Sequence, residues 1–412
     1  MTGYTPLTQI KVGLNFTGEI VPVGRLAIYE RKIYFEYEAS FIKSGLALSP
    51  LRLPLKAGVQ SFDPFLFEGL PGLFNDSLPD GWGRLLFDRA MRAKGIMHEQ
   101  LSPLDRLAHV GMTGMGALVY EPEIQEQDND SEIDLNQLAL SAQDVLDGAA
   151  PEVLQKLLSL NGSSAGARPK AMIGVDKDLK NIIHGKHTSQ MEYEPWLVKF
   201  PNSLDGLDCG AIEYIYALMA KDAGLVMSDV HLFPAKRGAG YFATKRFDRD
   251  GQKRVHVHSV CGLLYSDFRT PSLDYEDLIA LTSSLTKDMR EVESLFRQAV
   301  FNVLGHNRDD HSKNFSFTMD ITGAWTLSPA YDLTFSSGPR GEQSTMVMGE
   351  GKHPKEAHLI KLGREAKIDP KKITQIIAQT KHALSQWKTL AKNYGVSREN
   401  ITMIDKLLSA KA

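Results

Sequence analysis

The stretch HNRDDHSKNFSF, residues 306–317, decides the fold of this chain together with SPAYDL, residues 328–333. The two segments combine three carboxylates, two imidazoles and a lysine with apolar runs typical of strands. Asp309 precedes Asn314 by five positions, and Asp332 follows on the far side of a predicted hairpin. Catalytic base, metal-binding amide and metal-binding carboxylate follow one another in this order in a protein kinase. The pattern predicts an active-site loop.

Phosphoryl transfer depends on positioning and on neutralising charge more than on covalent chemistry. In this interpretation Asp309 accepts or orients the proton of the attacking hydroxyl, while Asn314 and Asp332 hold Mg²⁺ against the phosphates. Asp310 is the competing base. Its distance of four residues from Asn314 fits the pattern less well, so the spacing favours Asp309.

A second candidate lies upstream, in the apolar run WLVKFP at residues 196–201. Burying its one lysine, Lys199, costs desolvation unless the amine meets an anion. Lys199 is expected either to hold nucleotide phosphates or to reach water from an edge strand. Residues 209–224 carry apolar side chains at helical spacing, and Glu213 within them is the candidate partner of Lys199. A surface acid in the first helical turn is the alternative interpretation of Glu213.

Two stretches rich in small residues invite a phosphate-loop interpretation. NGSSAGARPKAMIG, residues 161–174, offers backbone amides without bulky side chains, and Arg168 or Lys170 could supply charge. It matches neither a Walker motif nor a kinase glycine loop, so an ordinary hairpin turn is an open alternative. GMTGMG, residues 111–116, lacks the Lys-Ser/Thr pair that follows a phosphate loop. A tight turn is the favoured interpretation there.

Two further segments have a predicted local role. Strands predicted at residues 230–234 and 240–247 end in KRFDR, residues 245–249. Backbone groups at this point could meet a purine edge, with Phe247 close by, or the charges could belong to a solvated turn. Residues 84–92 are predicted to form a helix that Asp80 could cap.

Composition limits the class of protein. A length of 412 residues predicts two or three domains, and contents of 42% hydrophobic and 24% charged residues are ordinary for a globular enzyme. No apolar run reaches the roughly 18 to 20 residues of a membrane span, so we expect a cytoplasmic protein with no membrane partner. A net charge of −3 gives no electrostatic footprint for autonomous nucleic-acid binding.

Changes of pattern divide the chain into four parts. We expect a β-rich subdomain at residues 1–120. Residues 121–134 contain seven acidic residues and no lysine or arginine, which predicts an acidic linker at residues 121–150. Residues 151–250 predict a kinase-like N-lobe with the Ser/Gly loop and Lys199. Residues 251–412 predict a helical C-lobe with the catalytic and metal-binding loops. The fold class is therefore α+β, a two-lobed protein-kinase-like fold with an extra N-terminal β-rich subdomain.

The chain resembles the HipA family of serine/threonine kinases, the toxins of bacterial type II toxin–antitoxin modules. The likeness extends over nearly the whole chain. It rests on FNDSLPDGW (74–82), the serine–glycine loop (163–170), VKFP (198–201), RFDR (246–249), the N-x-D-x-H-x-K-N loop and PAYDL (329–333). The chain departs from the family at Asp80, where glutamate is usual, and at HVHSVC (256–261), where His-Gln-Glu-Asp is commoner. These departures leave the substrate open.

The resemblance implies ATP and Mg²⁺ as cofactors, Asp309 as the catalytic acid/base, and Asn314 and Asp332 as metal ligands. It places nucleotide-binding positions at Ala165, Gly166, Ala167, Arg168, Pro169, Lys170, Lys199, Lys245, Arg246, Phe247, His311 and Tyr331. The family's inhibitory autophosphorylation serine aligns with Ser163. The resemblance also implies a helix-turn-helix antitoxin as partner, contact with DNA only through that antitoxin, and a protein substrate, with an aminoacyl-tRNA synthetase as the family-based expectation.

Two other classes of function stay open. A metal-dependent phosphohydrolase would use His306, Asp309, Asp310 and His311, which are crowded into one short loop; His256 and His258 are the obvious distant ligands. A non-catalytic ATP-binding corepressor would keep the fold and contact an antitoxin. Against the corepressor, every expected catalytic position is filled.

Overall fold

The computed structural model describes residues 4–124, 132–148, 151–161, 166–185, 192–202 and 205–410. Within these residues the buried apolar side chains form three cores. Each core is formed by a different sheet and the helices that pack on it. The candidate residues lie near the contacts between these three parts of the structure.

The first core lies under an N-terminal antiparallel sheet with strand order β4-β3-β2-β1-β5. Its strands are β1 (Gln9–Asn15), β2 (Ile20–Tyr29), β3 (Lys32–Tyr37), β4 (Gln60–Ser61) and β5 (Leu118–Glu121). Alternation along β3 buries Ile33, Phe35 and Tyr37 on one face. The helices of this region are α1 (Ala39–Ile42), α2 (Gly72–Asn75) and α4 (Pro103–Val110), and α3 (Gly81–Ala93) between them packs into the second core. This is the β-rich N-terminal subdomain.

The second core lies between helices and a second antiparallel sheet, whose strand order is β7-β6-β8-β10-β9. The helices are α3, α5 (Leu135–Leu146) and α6 (Pro151–Asn161). The strands are β6 (Lys170–Asp176), β7 (Ile182–His184), β8 (Tyr193–Lys199), β9 (Val230–Phe233) and β10 (Tyr241–Lys245). Helix α7 (Cys209–Asp222) follows β8. The strands predicted at 230–234 and 240–247 are confirmed.

Helix α5 falls inside residues 121–150, which the sequence assigns to an acidic linker. Leu135, Leu138, Ala142 and Val145 are buried along one face of it, as expected for apolar residues at helical spacing. Asp134 caps the helix by accepting hydrogen bonds from the amides of Asn136 and Gln137. This part of the linker prediction is wrong, because the acidic composition of the preceding residues concealed an amphipathic helix.

The third core is mainly helical. The strands of this part of the chain are β11 (Arg249–Asp250), β12 (Lys253–Arg254), β13 (His256–Ser259), β14 (Ser316–Met319) and β15 (Trp325–Leu327). Its helices are α8 (Val260–Leu264), α9 (Tyr275–Thr286), α10 (Met289–Leu304), α11 (Glu356–Glu365), α12 (Pro370–Ser385), α13 (Trp387–Asn393) and α14 (Arg398–Ser409). Within the described part of the chain, no helix combines the length and apolar character that crossing a membrane requires.

Two elements carry the candidate residues to one place. Helix α10 buries Val292, Phe296 and Val300 on its apolar face, so its C-terminal end delivers the loop that starts at residue 306. Helix α7 packs its apolar face into the same core, and Tyr216 donates a hydrogen bond to the carbonyl of Gly305 at 2.7 Å. The helix that follows β8 is thereby fixed to the start of the loop that carries Asp309 and Asn314.

Candidate active site

Lys199 lies at the end of β8 and contacts two carboxylates. Its Nζ donates to Glu213 Oε1 at 2.6 Å and to Asp332 Oδ1 at 2.5 Å. Glu213 is only 2% exposed, and β8 is flanked by β6 and β10, so the surface-acid and edge-strand interpretations of these residues are wrong. Burial alone would lower the pKa of Lys199, but Asp332 and Glu213 raise it above the ordinary value. The charged amine therefore joins the sheet, α7 and the C-lobe.

Two more cations lie beside Lys199. Lys170 pairs directly with Lys199 across the β6–β8 ladder and is 4% exposed. Burial and the charge of Lys199 lower the pKa of Lys170 to about 8. Arg168 forms ion pairs with Asp205, at 2.8 Å from Nε to Oδ2, and with Glu213, at 3.5 Å. Desolvation alone would raise the pKa of Asp332, but Lys199, Lys170 and Arg168 hold it below the ordinary range.

Asp309 and Asn314 occupy the loop after α10. The Asp309 side chain is 58% exposed, and desolvation followed by the charge of Asp332 raises its pKa despite the opposing effect of His311. Asn314 Nδ2 donates to the backbone carbonyl of Asp309 at 2.7 Å, which leaves the amide oxygen as the acceptor of that side chain. His311 Nε2 lies 3.9 Å from Asp309 Oδ1.

Asp310 has a different role from its neighbour. It is 1% exposed, and its Oδ2 accepts from Tyr275 at 2.7 Å and Gln343 at 2.9 Å. Its Oδ1 accepts from the amides of Ser344 and Thr345 at 2.9 and 3.2 Å. Three of these four donors belong to the loop at residues 343–345, so the Asp310 carboxylate holds that loop against α9. The spacing argument for Asp309 is consistent with this geometry.

The KRFDR segment separates into residues that face the site and residues that do not. The Phe247 and Tyr331 rings are stacked with centroids 5.7 Å apart, and the Tyr331 hydroxyl donates to the Lys313 carbonyl at 2.6 Å. Lys245 pairs with Glu194 at 2.6 Å. Arg246 turns away and donates to both oxygens of Asp248, at 2.9 and 2.7 Å. Only the aromatic pair adjoins the catalytic loop through these contacts.

The GMTGMG run holds this segment in place. The amide of Gly116 donates to Asp248 at 2.7 Å, and Gly114 accepts from Arg249 at 2.7 Å. Asp248 is fully buried, so the solvated-turn interpretation of KRFDR is wrong. The glycine run is a tight turn, as the sequence favoured, and its polar backbone atoms bind protein side chains.

Asp80 is a residue of the site that the sequence assigned elsewhere. It occupies the N-cap position of α3 but makes no side-chain cap. Its Oδ2 accepts from Lys313 Nζ at 2.5 Å, and its Oδ1 accepts from the amide of Gly166. The resemblance to a family motif at 74–82 was the one signal for this position, and it did not indicate the contact.

In the described residues, Gly166 to Pro169 lead into β6 and the preceding element is the helix α6, not a strand, so the hairpin interpretation of residues 161–174 is wrong. The carbonyl of Pro169 accepts from Phe200 at 2.8 Å, and Ala167 lies beside Gly81. These contacts place Gly166, Ala167, Arg168, Pro169 and Lys170 next to the end of β8. Ser163 and Ala165 lie outside the described residues.

The donor set fits a magnesium nucleotide. Lys170, which is buried, and Lys199, whose side chain is 12% exposed, are cross-strand neighbours, and two cations this close together are stabilised by nearby anions. The carboxylate of Asp332 and the amide oxygen of Asn314 are hard oxygen ligands of the kind Mg²⁺ binds. Lys199, Lys170 and Arg168 would be the residues that hold the phosphates.

The ligands of a phosphohydrolase are not brought together. His256 Nε2 lies 3.0 Å from the Leu48 carbonyl, and His258 lies 2.6 Å from Asp76 and 2.9 Å from Ser49. His306 stacks on Phe335 with ring centroids 5.2 Å apart. Across the described ranges, no group of three His, Cys, Asp or Glu side chains could hold a metal ion. The geometry gives this alternative no support.

Comparisons with known proteins show what the chain as a whole is similar to. The curated relatives include "Putative kinase Y4mE" of Sinorhizobium fredii (strain NBRC 101917 / NGR234), 27% identical over 325 residues, which cover 73% of this chain and 72% of that protein. "Putative kinase Y4dM" of the same strain is 24% identical over 231 residues, 51% of this chain and 56% of that protein.

A solved structure shares the whole fold. The HipA chain in the complex of HipA, HipB and operator DNA from Shewanella oneidensis MR-1 matches with a TM-score of 0.70 at 15% identity, covering 98% of this chain and 96% of that one. This likeness shows the fold, which is two-lobed and kinase-like. The HipA N-terminal domain family matches residues 17–121, and the HipA-like C-terminal domain family matches residues 162–387. Since the second match alone spans more than half of the chain, this protein belongs to the HipA family.

Proposed function

We propose that this protein is an ATP- and Mg²⁺-dependent protein serine/threonine kinase and the toxin of a toxin–antitoxin pair. The observation that carries the proposal is Lys199, which contacts Glu213 on α7 and Asp332 in the C-lobe. A lysine of the sheet, a glutamate of the following helix and an aspartate of the metal loop form the same set in protein kinases. Membership of the HipA family and relatives named as kinases support the proposal.

Each residue has one task in this reaction. Bound ATP and Mg²⁺ would supply the phosphoryl group and neutralise its charge. Lys199, Lys170 and Arg168 orient the phosphates, because three fixed cations converge on the end of β8. Asn314 and Asp332 hold the metal. Phe247 and Tyr331 would line the purine seat, since their stacked rings adjoin the catalytic loop.

Asp309 is the residue that meets the substrate. Its exposure leaves room for a serine or threonine hydroxyl to approach within hydrogen-bond distance. Desolvation raises the pKa of Asp309, and a more basic carboxylate is a better acceptor for the proton of the hydroxyl. Asn314 fixes the loop by donating to the Asp309 carbonyl, so the base and the metal amide move together.

Partners follow from the family. The Shewanella protein is crystallised with HipB and operator DNA, and we extend to this chain a helix-turn-helix antitoxin through which it reaches DNA. A net charge of −3 agrees with indirect contact. The substrate would be a cytoplasmic protein, with an aminoacyl-tRNA synthetase as the family-based candidate. Ser163 would be phosphorylated by the protein itself and thereby switch off nucleotide binding, since an added phosphate would repel bound nucleotide.

Incubation with ATP labelled on the γ-phosphate and with Mg²⁺ tests this proposal. The native protein should label itself, Ser163→Ala should remove the label from that position, and Asp309→Asn or Asp332→Asn should abolish labelling. Asp144→Asn changes an exposed aspartate on α5 and is the matched control. Tight ATP binding without transfer to the protein itself or to another protein would favour the corepressor instead. Undiminished labelling in Asp309→Asn would overturn the assignment.

A further inference from the structure

Asp80 lies where the three parts of the protein meet. Leu78, two residues before it, is buried in the N-terminal core, and Trp82, two residues after it, is buried in the second core. Its carboxylate contacts Lys313 of the C-lobe at 2.5 Å. One turn of chain, LPDG at residues 78–81, is therefore in contact with all three parts.

The LPDG turn and the residue after it, Trp82, bind both backbone polar atoms of Gly166. The Gly166 amide donates to Asp80, and the Gly166 carbonyl accepts from the amide of Trp82 at 3.1 Å. The contact is close: a Cβ at Gly81 would lie 2.6 Å from the Gly166 oxygen and 2.8 Å from the Ala167 Cα. Gly81 also has a φ of +43°, a conformation that favours glycine. The turn and the start of the phosphate-loop segment fit together only with glycine at this position.

Lys313 neutralises the negative charge that Asp80 places beside the proposed phosphate-binding segment. A bare carboxylate beside Gly166 and Lys170 would repel the phosphates that these residues are proposed to hold. Lys313 and Asp80 are 10% and 15% exposed, so their ion pair is screened little by water. Burial alone would raise the pKa of Asp80, but Lys313 holds it below the ordinary value. Asp80 therefore stays charged and paired.

We propose that Asp80 is a positioning residue for phosphoryl transfer, which fixes the phosphate-binding segment at Gly166 relative to the catalytic loop at Lys313. This inference rests on the kinase function proposed above. Lys313 directly precedes Asn314, the proposed metal ligand, so the Asp80 carboxylate sets the distance between the phosphate cradle and the metal site. The N-terminal subdomain, which carries the LPDG turn, is thereby part of the machinery that binds nucleotide.

The test measures ATP affinity and the autophosphorylation rate separately, on the full chain. Asp80→Asn keeps one acceptor for Gly166 but loses the charge that holds Lys313, so ATP affinity should fall about tenfold, as for the loss of one charge-assisted hydrogen bond. Asp80→Glu, which keeps the carboxylate, should recover most of the affinity. Asp144→Asn should bind and react like the native protein.

The sharpest result comes from combining variants. Lys313→Met leaves the Asp80 charge unpaired beside the phosphates and should weaken ATP binding more than Asp80→Asn does. Adding Asp80→Asn to Lys313→Met should then restore part of the affinity, a coupling that independent structural damage does not produce. Thermal unfolding of each variant shows that folded protein is being compared.

The outcomes separate this inference from the proposed function. If the native protein binds no ATP and transfers no phosphate, the kinase proposal fails. If the native protein does both but folded Asp80→Asn keeps native affinity and rate, the positioning role alone is overturned. If Asp80→Asn alone does not fold, the ATP affinities of Lys313→Met and of the double variant are compared instead. A double variant that binds ATP more weakly than Lys313→Met contradicts the inference.

Discussion

Asp309 and Asp310 are adjacent in sequence, but their carboxylates lie in opposite environments. The Asp309 side chain is 58% exposed, whereas Asp310 is 1% exposed and accepts four hydrogen bonds. The Asp309 carboxylate is accessible from solvent, whereas the Asp310 carboxylate is fully hydrogen-bonded and holds the loop at residues 343–345 in place. In the proposed reaction Asp309 would act on the substrate, while Asp310 supports the neighbouring loop.

Replacing each aspartate by asparagine should separate these two roles. Asp309→Asn should lower the rate of phosphoryl transfer by roughly 10²- to 10⁴-fold, the usual contribution of a general base, and leave thermal stability unchanged. Asp310→Asn places an amide NH₂ against two of the four donors, so the free energy of unfolding should fall by about 2–5 kcal/mol. Autophosphorylation rates and urea denaturation measure the two effects. A destabilised Asp309→Asn protein with a native rate per folded molecule would contradict the division.

The sequence predicted much of this site because its parts are local. The five-residue step from Asp309 to Asn314 and the strand that carries Lys199 are patterns within short segments. The contact of Lys199 with Glu213 joins consecutive elements, only 14 residues apart. Such pairs follow from knowing that a strand leads into a helix, since the helix must pack back on the sheet.

What the sequence could not predict is non-local. Asp80 and Lys313 are 233 residues apart, and each has an ordinary local explanation, a helix cap and a polar loop residue. Asp248 binds a glycine turn 132 residues earlier, so the KRFDR charges resembled a solvated turn. The burial of α5 was hidden for a different reason, because the acidic residues before it dominated the composition of the predicted linker.

Glu213→Gln should raise the Mg²⁺ concentration needed for activity by about tenfold. Lys199 is shared between Glu213 and Asp332 in the native protein. Without the Glu213 charge, Lys199 has only Asp332 as its anionic partner, so Mg²⁺ must compete more strongly with the lysine for Asp332. The apparent binding free energy of Mg²⁺ should weaken by about the contribution of one charge-assisted hydrogen bond. Titration of autophosphorylation with Mg²⁺ at saturating ATP measures the shift. Glu365→Gln, an exposed glutamate on α11, is the control, and equal Mg²⁺ curves for both variants would rule the competition out.

ATP binding near pH 8.5 should take up a proton through Lys170. The pKa of Lys170 is about 8 in the folded protein, below its ordinary value of 10.5, because of burial and the charge of Lys199. Between these values the unfolded chain binds more protons than the folded one, so this residue makes stability rise with pH across that window. Bound phosphates favour the charged amine and should raise the pKa of Lys170 again.

Calorimetric titration of ATP in buffers of different ionisation enthalpy measures the uptake. The native protein should show a proton uptake near pH 8.5 that disappears near pH 7, where Lys170 is already charged. Lys170→Met should bind ATP more weakly and without uptake at either pH. An uptake that persists in Lys170→Met would assign the proton to another group.

Asp248→Asn should destabilise the protein more than any of the exposed substitutions above. Asp248 is fully buried and accepts from Arg246, Arg249 and the amide of Gly116. Removing its charge leaves two largely buried guanidinium groups without their anion, and breaking a buried pair in this way costs about 3–5 kcal/mol. In the glycine turn at residues 111–116, the Gly116 amide donates to this carboxylate and the Gly114 carbonyl accepts from Arg249. The N-terminal subdomain should therefore become less stable together with the segment before β11.

Chemical denaturation compares Asp248→Asn with Asp250→Asn, an exposed aspartate two residues further along. The second variant should unfold at the native denaturant concentration. Limited proteolysis of Asp248→Asn should cut first near the glycine turn, because one neutral amide oxygen replaces the two charged oxygens that accept from Gly116 and the two arginines. Native stability of Asp248→Asn would show that the two arginines find other anions, and that the glycine turn keeps its position without this carboxylate.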